Sequence, residues 1–357
     1  MHLHMARAGL TMTNKHAAAE PPDTIQDRFR DAIAPRTLLM GLGVLLLQFA
    51  FILSYIGAFH SPSPHQIPVT VVAPEQLAGQ LVDQLNAVPG QPVKVSAAAH
   101  EIDARQALRA GQTSAVYVVN TSGTQDSLLI ASGGGTSIAT AVQQLFTAAA
   151  QQHGRTVSVE DLVPLDAGDA RGLSGFYLVI GWAVGGYLFA AMLGVAKGSR
   201  PATLPRAVWR LGATLPYALA SGMGGAVVAE PVLHALTGHF WPIVGIGVLV
   251  TLSAATVTIA LQTLFGVIGI GLTVVIFVIL GNPSAGGAYQ PALLPPFWRS
   301  ISSYLPNGAG TEAIRRICYF DAHAVTHPVV VLLVWIAGGV VVTLVGSALL
   351  HRSKRQA

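Results

Sequence analysis

Glu230 is the one formal charge within the long apolar stretches of this 357-residue chain, and Pro231 follows it directly. Burying a charge at the centre of a bilayer costs about 2.5–3.5 kcal/mol on insertion scales, so such a residue has two readings. It is a polar point on a substrate path, or an interfacial helix end whose carboxylate reaches water or an arginine such as Arg315 or Arg316. Gln48, Thr251, Ser253, Thr256 and Gln262 are further polar side chains in the same stretches. Such a sparse lining suits a lipophilic or amphiphilic substrate. His60, His65, His234, His239, His323 and His327 gather beside the ends of apolar stretches. His323 and His327 stand four apart, a spacing that can share a metal on a helix. No carboxylate pattern accompanies them, so no metal or cofactor is assigned. The turn Gly133-Gly134-Gly135-Thr136-Ser137 precedes a helical pattern. It is either an anion-holding helix N-terminus or a plain turn capped by Thr136 or Ser137.

Motifs that would support an enzyme are missing. The chain contains no G-x-x-x-x-G-K-[ST], H-E-x-x-H, C-x-x-C or G-x-S-x-G, so no P-loop ATP hydrolysis and no familiar hydrolase site can be drawn from it. No nucleic-acid-binding signature occurs, and the basic residues sit beside apolar stretches. The single cysteine, Cys318, excludes an intramolecular disulfide.

Composition explains where these residues must be held. Apolar residues make up 52% and charged residues 10%, against about 25% charge in a soluble domain. Mean hydropathy is +0.56. The reading is a polytopic α-helical membrane protein. A crossing helix needs about 20 apolar residues, and six candidates follow: 37–59, 173–196, 211–236, 241–262, 264–280 and 328–350. The fourth and fifth form one uncharged run that must fold back near Gln262 to Gly266. The arrangement is therefore one span, a polar segment, then five spans.

Lys and Arg set the orientation. Arg28, Arg30 and Arg36 precede the first span; Lys197, Arg200, Arg206 and Arg210 lie between the second and third; Arg352, Lys354 and Arg355 follow the sixth. Six spans put all three groups on one side, so 1–36 and 351–357 are expected to be cytoplasmic in a cell membrane. The first span is longer than a signal-peptide core and no A-x-A follows it, so it reads as an uncleaved anchor.

The polar segment 60–172 reads as an extracytoplasmic α/β domain. Strands are expected at 69–72, 93–95, 115–119, 128–131 and 157–159. Helices are expected after Pro74, over 102–110, and around Ile138, Val142, Leu145 and Phe146. Small residues at Gly181 and Gly185, at Gly222, Gly224 and Gly225, and at Gly266, Gly269 and Gly271 suit helix packing within one subunit or a dimer face. The stretch 24–36, with Phe29 and Ile33, is an amphipathic helix. It and the basic loop 197–210, with Arg206, Trp209 and Arg210, either rest on anionic lipid or dock a cytoplasmic partner.

Residues 281–327 form an outer hairpin of two short helices too short to cross, the second starting near Gly310-Thr311-Glu312, where Glu312 would favour a helix N-terminus. It carries Asn282, Pro283, Ser284, Gly286, Gly287, Leu294, Pro296, Phe297, Trp298, Arg299, Leu305, Pro306, Asn307, Gly308 and Arg315. In this stretch, and in its order of spans over 25–350, the chain resembles ABC-2 type transporter permeases, notably the phage-infection-protein-like and nitrosoguanidine-resistance-like membrane proteins. The resemblance implies a permease that works with a separate cytoplasmic ATP-binding cassette ATPase and pairs as a homodimer. Stretches 24–36 and 197–210 would then face the ATPase. The leading expectation is an exporter subunit for a lipophilic or amphiphilic substrate. The alternatives are a non-transporting envelope protein whose external domain binds a partner, and an efflux protein without an ATPase.

Overall fold

The computed structural model describes residues 35–198, 200–201 and 203–356. The amphipathic stretch expected before Pro35, with Phe29 and Ile33, lies outside the described residues. The chain divides into two compact units, Met1–Gln48 and Phe49–Ala357. The boundary falls inside the first helix, α1 (Pro35–Phe59). In the first unit α1 exposes Leu38, Leu39, Leu42 and Leu46.

The second unit opens with a five-stranded mixed sheet: β1 (Ile67–Val72), β2 (Val93–Ala98), β3 (Ala115–Val118), β4 (Gln125–Ile130) and β5 (Thr156–Asp161). Spatial order is β2-β1-β3-β4-β5. Only the β3–β4 pair is antiparallel, with Tyr117 opposite Leu128. Every expected strand and helix of this domain is present, with strand ends displaced by at most three residues. Side chains alternate between faces along each strand. Val69, Val71, Val95, Tyr117 and Leu128 face α2 (Glu75–Asn86) and α4 (Thr136–Gln152). Val116 and Leu129 face α3 (Glu101–Arg109). The start of α4 differs from expectation. Gly135 takes the cap position and neither Thr136 nor Ser137 caps the helix; Ser137 Oγ instead donates to the Ala288 carbonyl at 2.6 Å.

Five helices among the described residues are long and apolar enough to cross a membrane: Thr37–Phe59, Ser174–Ala196, Leu204–Val232, Phe240–Phe265 and Thr326–Leu350. They belong to α1, α5 (Ser174–Lys197), α6 (Leu204–Val227, widening into a π turn at Val228–Val232), α7 (Phe240–Phe265) and α11 (Thr326–Gln356). In place of the expected crossing at 264–280 stands an apolar helix shifted by four residues, α8 (Ile268–Ser284), shorter than the other five. Its start is displaced because α7 runs on to Phe265 and the chain reverses at Gly266, whose φ is +62°. Pro231 does not break α6; the π turn absorbs it. α6 begins at Leu204, earlier than the 211 expected, because Thr203 caps it and Pro205 stands in its first turn. Arg206 and Arg210 are therefore helical, and the expected loop 197–210 shrinks to 198–203.

α7 is the hub. Ile243, Ile246, Val250, Ala254 and Val257 pack with Val179 and Trp182 of α5, Phe277 of α8 and Leu332 of α11. Glycines set the close approach. A Cβ at Gly186 would lie 2.4 Å from the Thr251 carbonyl oxygen, and one at Gly222 would lie 2.7 Å from that of Val244. Gly185 likewise meets Tyr217, and Gly225 meets Trp182, whereas Gly181 and Gly224 face open space. Most of the small-residue pattern therefore serves packing within one chain.

The sheet domain carries one buried ion pair. Asp126 is 1% exposed and accepts from Arg155 Nε at 2.7 Å, Arg155 Nη2 at 2.6 Å, Tyr117 Oη at 2.6 Å and the Asn120 amide at 2.8 Å. Burial would raise its pKa, but the bonds from Arg155, Tyr117 and Asn120 win and hold it below the usual carboxylate range. A carboxylate depressed in the folded state contributes stability above its unfolded pKa, about 3.9, and loses it as pH falls through the folded value. Asp126→Asn should destabilise the sheet domain, because the charge-assisted bonds from Arg155 to the buried carboxylate are lost. Hydrogen exchange on the full-length protein should show faster exchange of β3, β4 and β5 amides at neutral pH. The parent should lose protection on acidification below about pH 4, and that loss should be blunted in the variant.

Candidate functional site

The Pro-rich hairpin 281–327 is where the sheet domain meets the helices. Its pieces are a 3₁₀ turn (Pro291–Leu293), α9 (Pro296–Ser302) and α10 (Pro306–Tyr319). α10 starts at Pro306, four residues before the expected Gly310, because proline suits a first helical position. Glu312 is consequently mid-helix and serves no N-terminus. Its Oε2 accepts from Arg315 Nη1 at 2.7 Å and its Oε1 from Arg316 Nε at 2.7 Å. Arg315 Nη2 also donates to the Gly286 carbonyl at 2.6 Å, and Arg316 Nη1 to the Gly111 carbonyl at 3.0 Å. The guanidinium of Arg316 lies 5.3 Å from the centre of the Phe320 ring. One carboxylate thus orients two arginines, one onto the hairpin and one onto the turn after α3. Burial alone would raise the Glu312 pKa; Arg315 and Arg316 overcome it and hold the group ionised.

The three glycines after β4 belong to the same joint. A Cβ would lie 2.7 Å from Tyr319 at Gly133, 3.1 Å from Phe320 at Gly134, and 2.1 Å from the Gln290 side chain at Gly135. The Gly-rich turn is bare so that the hairpin can press on it. Asp169 closes the assembly from the linker. It accepts from the Ser174 amide at 2.9 Å, which starts α5, and from Tyr319 Oη at 2.8 Å. Burial pushes the Cys318 thiol up to about 12, with the Asp166, Asp169 and Glu230 carboxylates adding to it, so it stays a protonated packing residue.

A second polar chain links α10 to α8 and α1. Asn307 Nδ2 donates to the Phe277 carbonyl at 3.0 Å and to Asn282 Oδ1 at 2.7 Å, and Asn282 Nδ2 donates to Tyr55 Oη at 3.1 Å. Ser54 donates to the Ile279 carbonyl. Residues Val275–Gly281 of α8 are π-helical. Two carbonyls of that segment thus receive donors from α1 and α10, which matters where water is scarce. Trp298 is buried with Ala58 and Leu294, while Phe297 is exposed. Pro283 is buried in the last turn of α8, and Arg299 stands in the last turn of α9.

The other expected positions are scattered. Glu230 Oε1 accepts from the Gly238 amide at 2.9 Å, and Arg315 and Arg316 are committed to Glu312 rather than to it. Thr251, Ser253 and Thr256 are buried on α7. Ser253 and Thr256 donate back to their own helix, at the Val250 and Leu252 carbonyls, and Thr251 donates to Ser221. Gln48 is exposed on α1. Within the second unit, the structure does not draw Glu230, Thr251, Ser253 and Thr256 into one lining. His323 lies in the turn before α11 and His327 in its first turn, so they share no helix face. At the other ends of the helices, Arg200 Nη2 donates to the Leu264 carbonyl at 3.0 Å and Arg210 Nη2 to the Gly198 carbonyl at 2.6 Å. Arg200 thus meets the end of α7 and Arg210 the end of α5, while Arg206 and Trp209 are exposed on the first turns of α6.

A helical membrane bundle with a Pro-rich hairpin and no catalytic constellation is the setting for one comparison. Residues 35–349 match the family described as ABC-2 family transporter protein. The chain belongs to this family. No curated protein and no solved structure matches it. It is thus a multi-pass membrane protein of a transporter family, and the match takes in the sheet domain and hairpin as well as the helices. Sequence reasoning found the hairpin but missed Glu312, Arg316 and Gln290 as its joint. The available signal was three bare glycines, each short of a reason to be glycine.

The Asn307 contact is testable in this transporter. A Cβ at Gly281 would lie 2.6 Å from Asn307 Oδ1 and 2.9 Å from the Ile276 carbonyl. Gly281→Ala should cost about 1–3 kcal/mol by overpacking. In an Asn307→Ala background the added cost should shrink by at least 0.5 kcal/mol, since residues in contact couple. Thermal unfolding of the four proteins in one detergent measures the cycle; strictly additive costs would refute the contact.

Proposed function

We propose that the chain is the membrane-spanning permease subunit of an ABC-2 exporter for an amphiphilic substrate, driven by a separate cytoplasmic ATPase. The observation that carries this is the family match over 35–349 in a chain whose sequence holds no P-loop of its own. Two copies would make one transporter, and the open Gly181 and Gly224 positions offer a small-residue face for it.

In this reading α8 is the sixth crossing, shortened because its outer end stops at Asn282-Pro283 within the protein. The basic groups before α1, between α5 and α6 and after α11 then share the cytoplasmic side, and the sheet domain and hairpin lie outside. The ATPase would dock on the end where Arg200 meets Leu264. Arg206 and Trp209 suit a contact because both are exposed and one helical turn apart. Arg210 is already bonded to Gly198 and is better read as holding that turn.

Cross-linking and affinity purification of the tagged full-length protein from its native membrane, followed by mass spectrometry, should recover a P-loop ATPase. Arg206→Glu/Trp209→Ala should insert normally and lose at least ten-fold of that ATPase, because reversing a charge at a buried contact costs several kcal/mol. Recovery of no P-loop ATPase from the parent protein would refute the exporter reading. Undiminished recovery with the variant would place the docking contact elsewhere.

A further inference from the structure

A cleft of about 360 Å³ opens between the sheet domain and the hairpin, within the size range of small-molecule sites. Its lining includes Gln290, Ser303, Glu312, Arg315, Arg316 and His327. Three features make it a built site. First, one carboxylate against two guanidiniums leaves a net positive charge, and Arg315 Nε and Arg316 Nη2 take part in none of the bonds that hold the cluster. Second, Gln290 is 4% exposed, and its Oε1 has no hydrogen-bond donor. A buried acceptor left bare costs about 1–3 kcal/mol, and the bare Gly135 beside Gln290 gives that side chain its room. Third, the cleft reaches His327 and Pro328, in the first turn of the crossing helix Thr326–Leu350. Tyr304 and Val330, adjacent to its lining on the same segments, are exposed apolar surface.

We infer that this cleft binds a phosphoryl head group that also carries an amine or hydroxyl donor. The arginines take the phosphate oxygens, as guanidinium forks do. Gln290 Oε1 accepts from the amine or hydroxyl. The height of the cleft at the start of α11 lets attached acyl chains lie along exposed Tyr304 and Val330. The inference deepens the exporter reading, on which it rests for the amphiphilic character of the substrate. It names a site on the sheet-domain side of the hairpin rather than within the helices.

The test uses purified full-length protein in a sugar detergent, without any ATPase, and reads binding by thermophoresis. The probes are dihexanoyl phosphatidylethanolamine, its choline counterpart (which has no N–H donor), dihexanoylglycerol (no phosphate) and water-soluble glycerophosphoethanolamine. Saturable binding of the ethanolamine lipid, at least ten-fold tighter than the choline lipid and dihexanoylglycerol, is expected. Gln290→Leu should abolish the preference for ethanolamine over choline while melting no lower than the parent without ligand, since it removes a bare acceptor. Ser303→Trp, at an exposed position on the rim, should weaken binding of both phospholipids. Glycerophosphoethanolamine binding as tightly as the lipid assigns the site to free phosphate esters; weaker binding assigns it to lipid head groups. An ethanolamine preference that survives Gln290→Leu, or no tighter binding of the phospholipids than of dihexanoylglycerol, would overturn the site. Because no ATPase is present, loss of this site and loss of the exporter reading are separate results.

Discussion

The Glu312 carboxylate, shared between Arg315 and Arg316, is the interaction on which the joint depends. Neither arginine would hold its second contact if its guanidinium were free to turn. With the carboxylate in place, one fork is aimed at Gly286 in the hairpin and the other at Gly111 in the sheet domain. All three side chains come from less than two turns of α10, so the geometry is set by helix spacing, at i,i+3 and i,i+4. Two carbonyls far apart in sequence are thereby brought to one helix. Tyr319 and Phe320, at the end of the same helix, fill the space left by Gly133 and Gly134. The polar and steric parts of the joint are thus read from a single segment, and neither would position the domain alone.

Much of this was visible in the sequence because periodicity reports burial. The sheet domain has two-residue alternation in short strands and helical spacing between them, and both come from local rules. The long apolar stretches were equally legible. Boundaries failed where capping chemistry competed with hydropathy. Thr203 and Pro205 start α6 among charged residues that hydropathy counts as loop, and Pro306 starts α10 before its apolar face begins. α8 starts four residues later than expected because α7 runs on to Phe265 and the chain turns at Gly266, so its span is shifted rather than lost. The joint itself was illegible, since Gly111, Gly286 and Glu312 meet only in three dimensions. Glu312 was assigned to a helix terminus on local grounds, and the tertiary pairing overrode that reading.

The polar residues of α7 show the same limit from the other side. Thr251, Ser253 and Thr256 have the composition of a lined path. Yet the Ser253 and Thr256 hydroxyls are satisfied by their own helix, and glycines of α5 and α11 close over Thr251 and Thr256. In a helix buried on most sides, a threonine costs little because the i−4 carbonyl accepts its hydroxyl. Composition alone cannot separate that use from a channel lining.

The π-helical stretch of α8 connects the joint to the membrane-spanning helices. A π segment loosens the regular i→i−4 ladder, and a carbonyl loosened in a low-dielectric setting needs a donor. Asn307 supplies one at Phe277 from α10, and Ser54 supplies one at Ile279 from α1. Asn282, at the end of α8, then bonds both Asn307 and Tyr55. The C-terminal end of α1, the C-terminal half of α8 and α10 therefore share one set of donors and acceptors, and separating any of them would strand polar atoms. α10 also carries the Glu312 cluster, so the same helix is bound to the sheet domain. A displacement of the sheet domain would pull first on α10, and through Asn307 on α8, rather than on the glycine-packed core around α7. The packing of that core leaves little free volume to move into, whereas the hairpin is held by exchangeable hydrogen bonds. The hairpin is thus one route, besides the chain connections to α1 and α5, by which motion of the sheet domain can reach the helices.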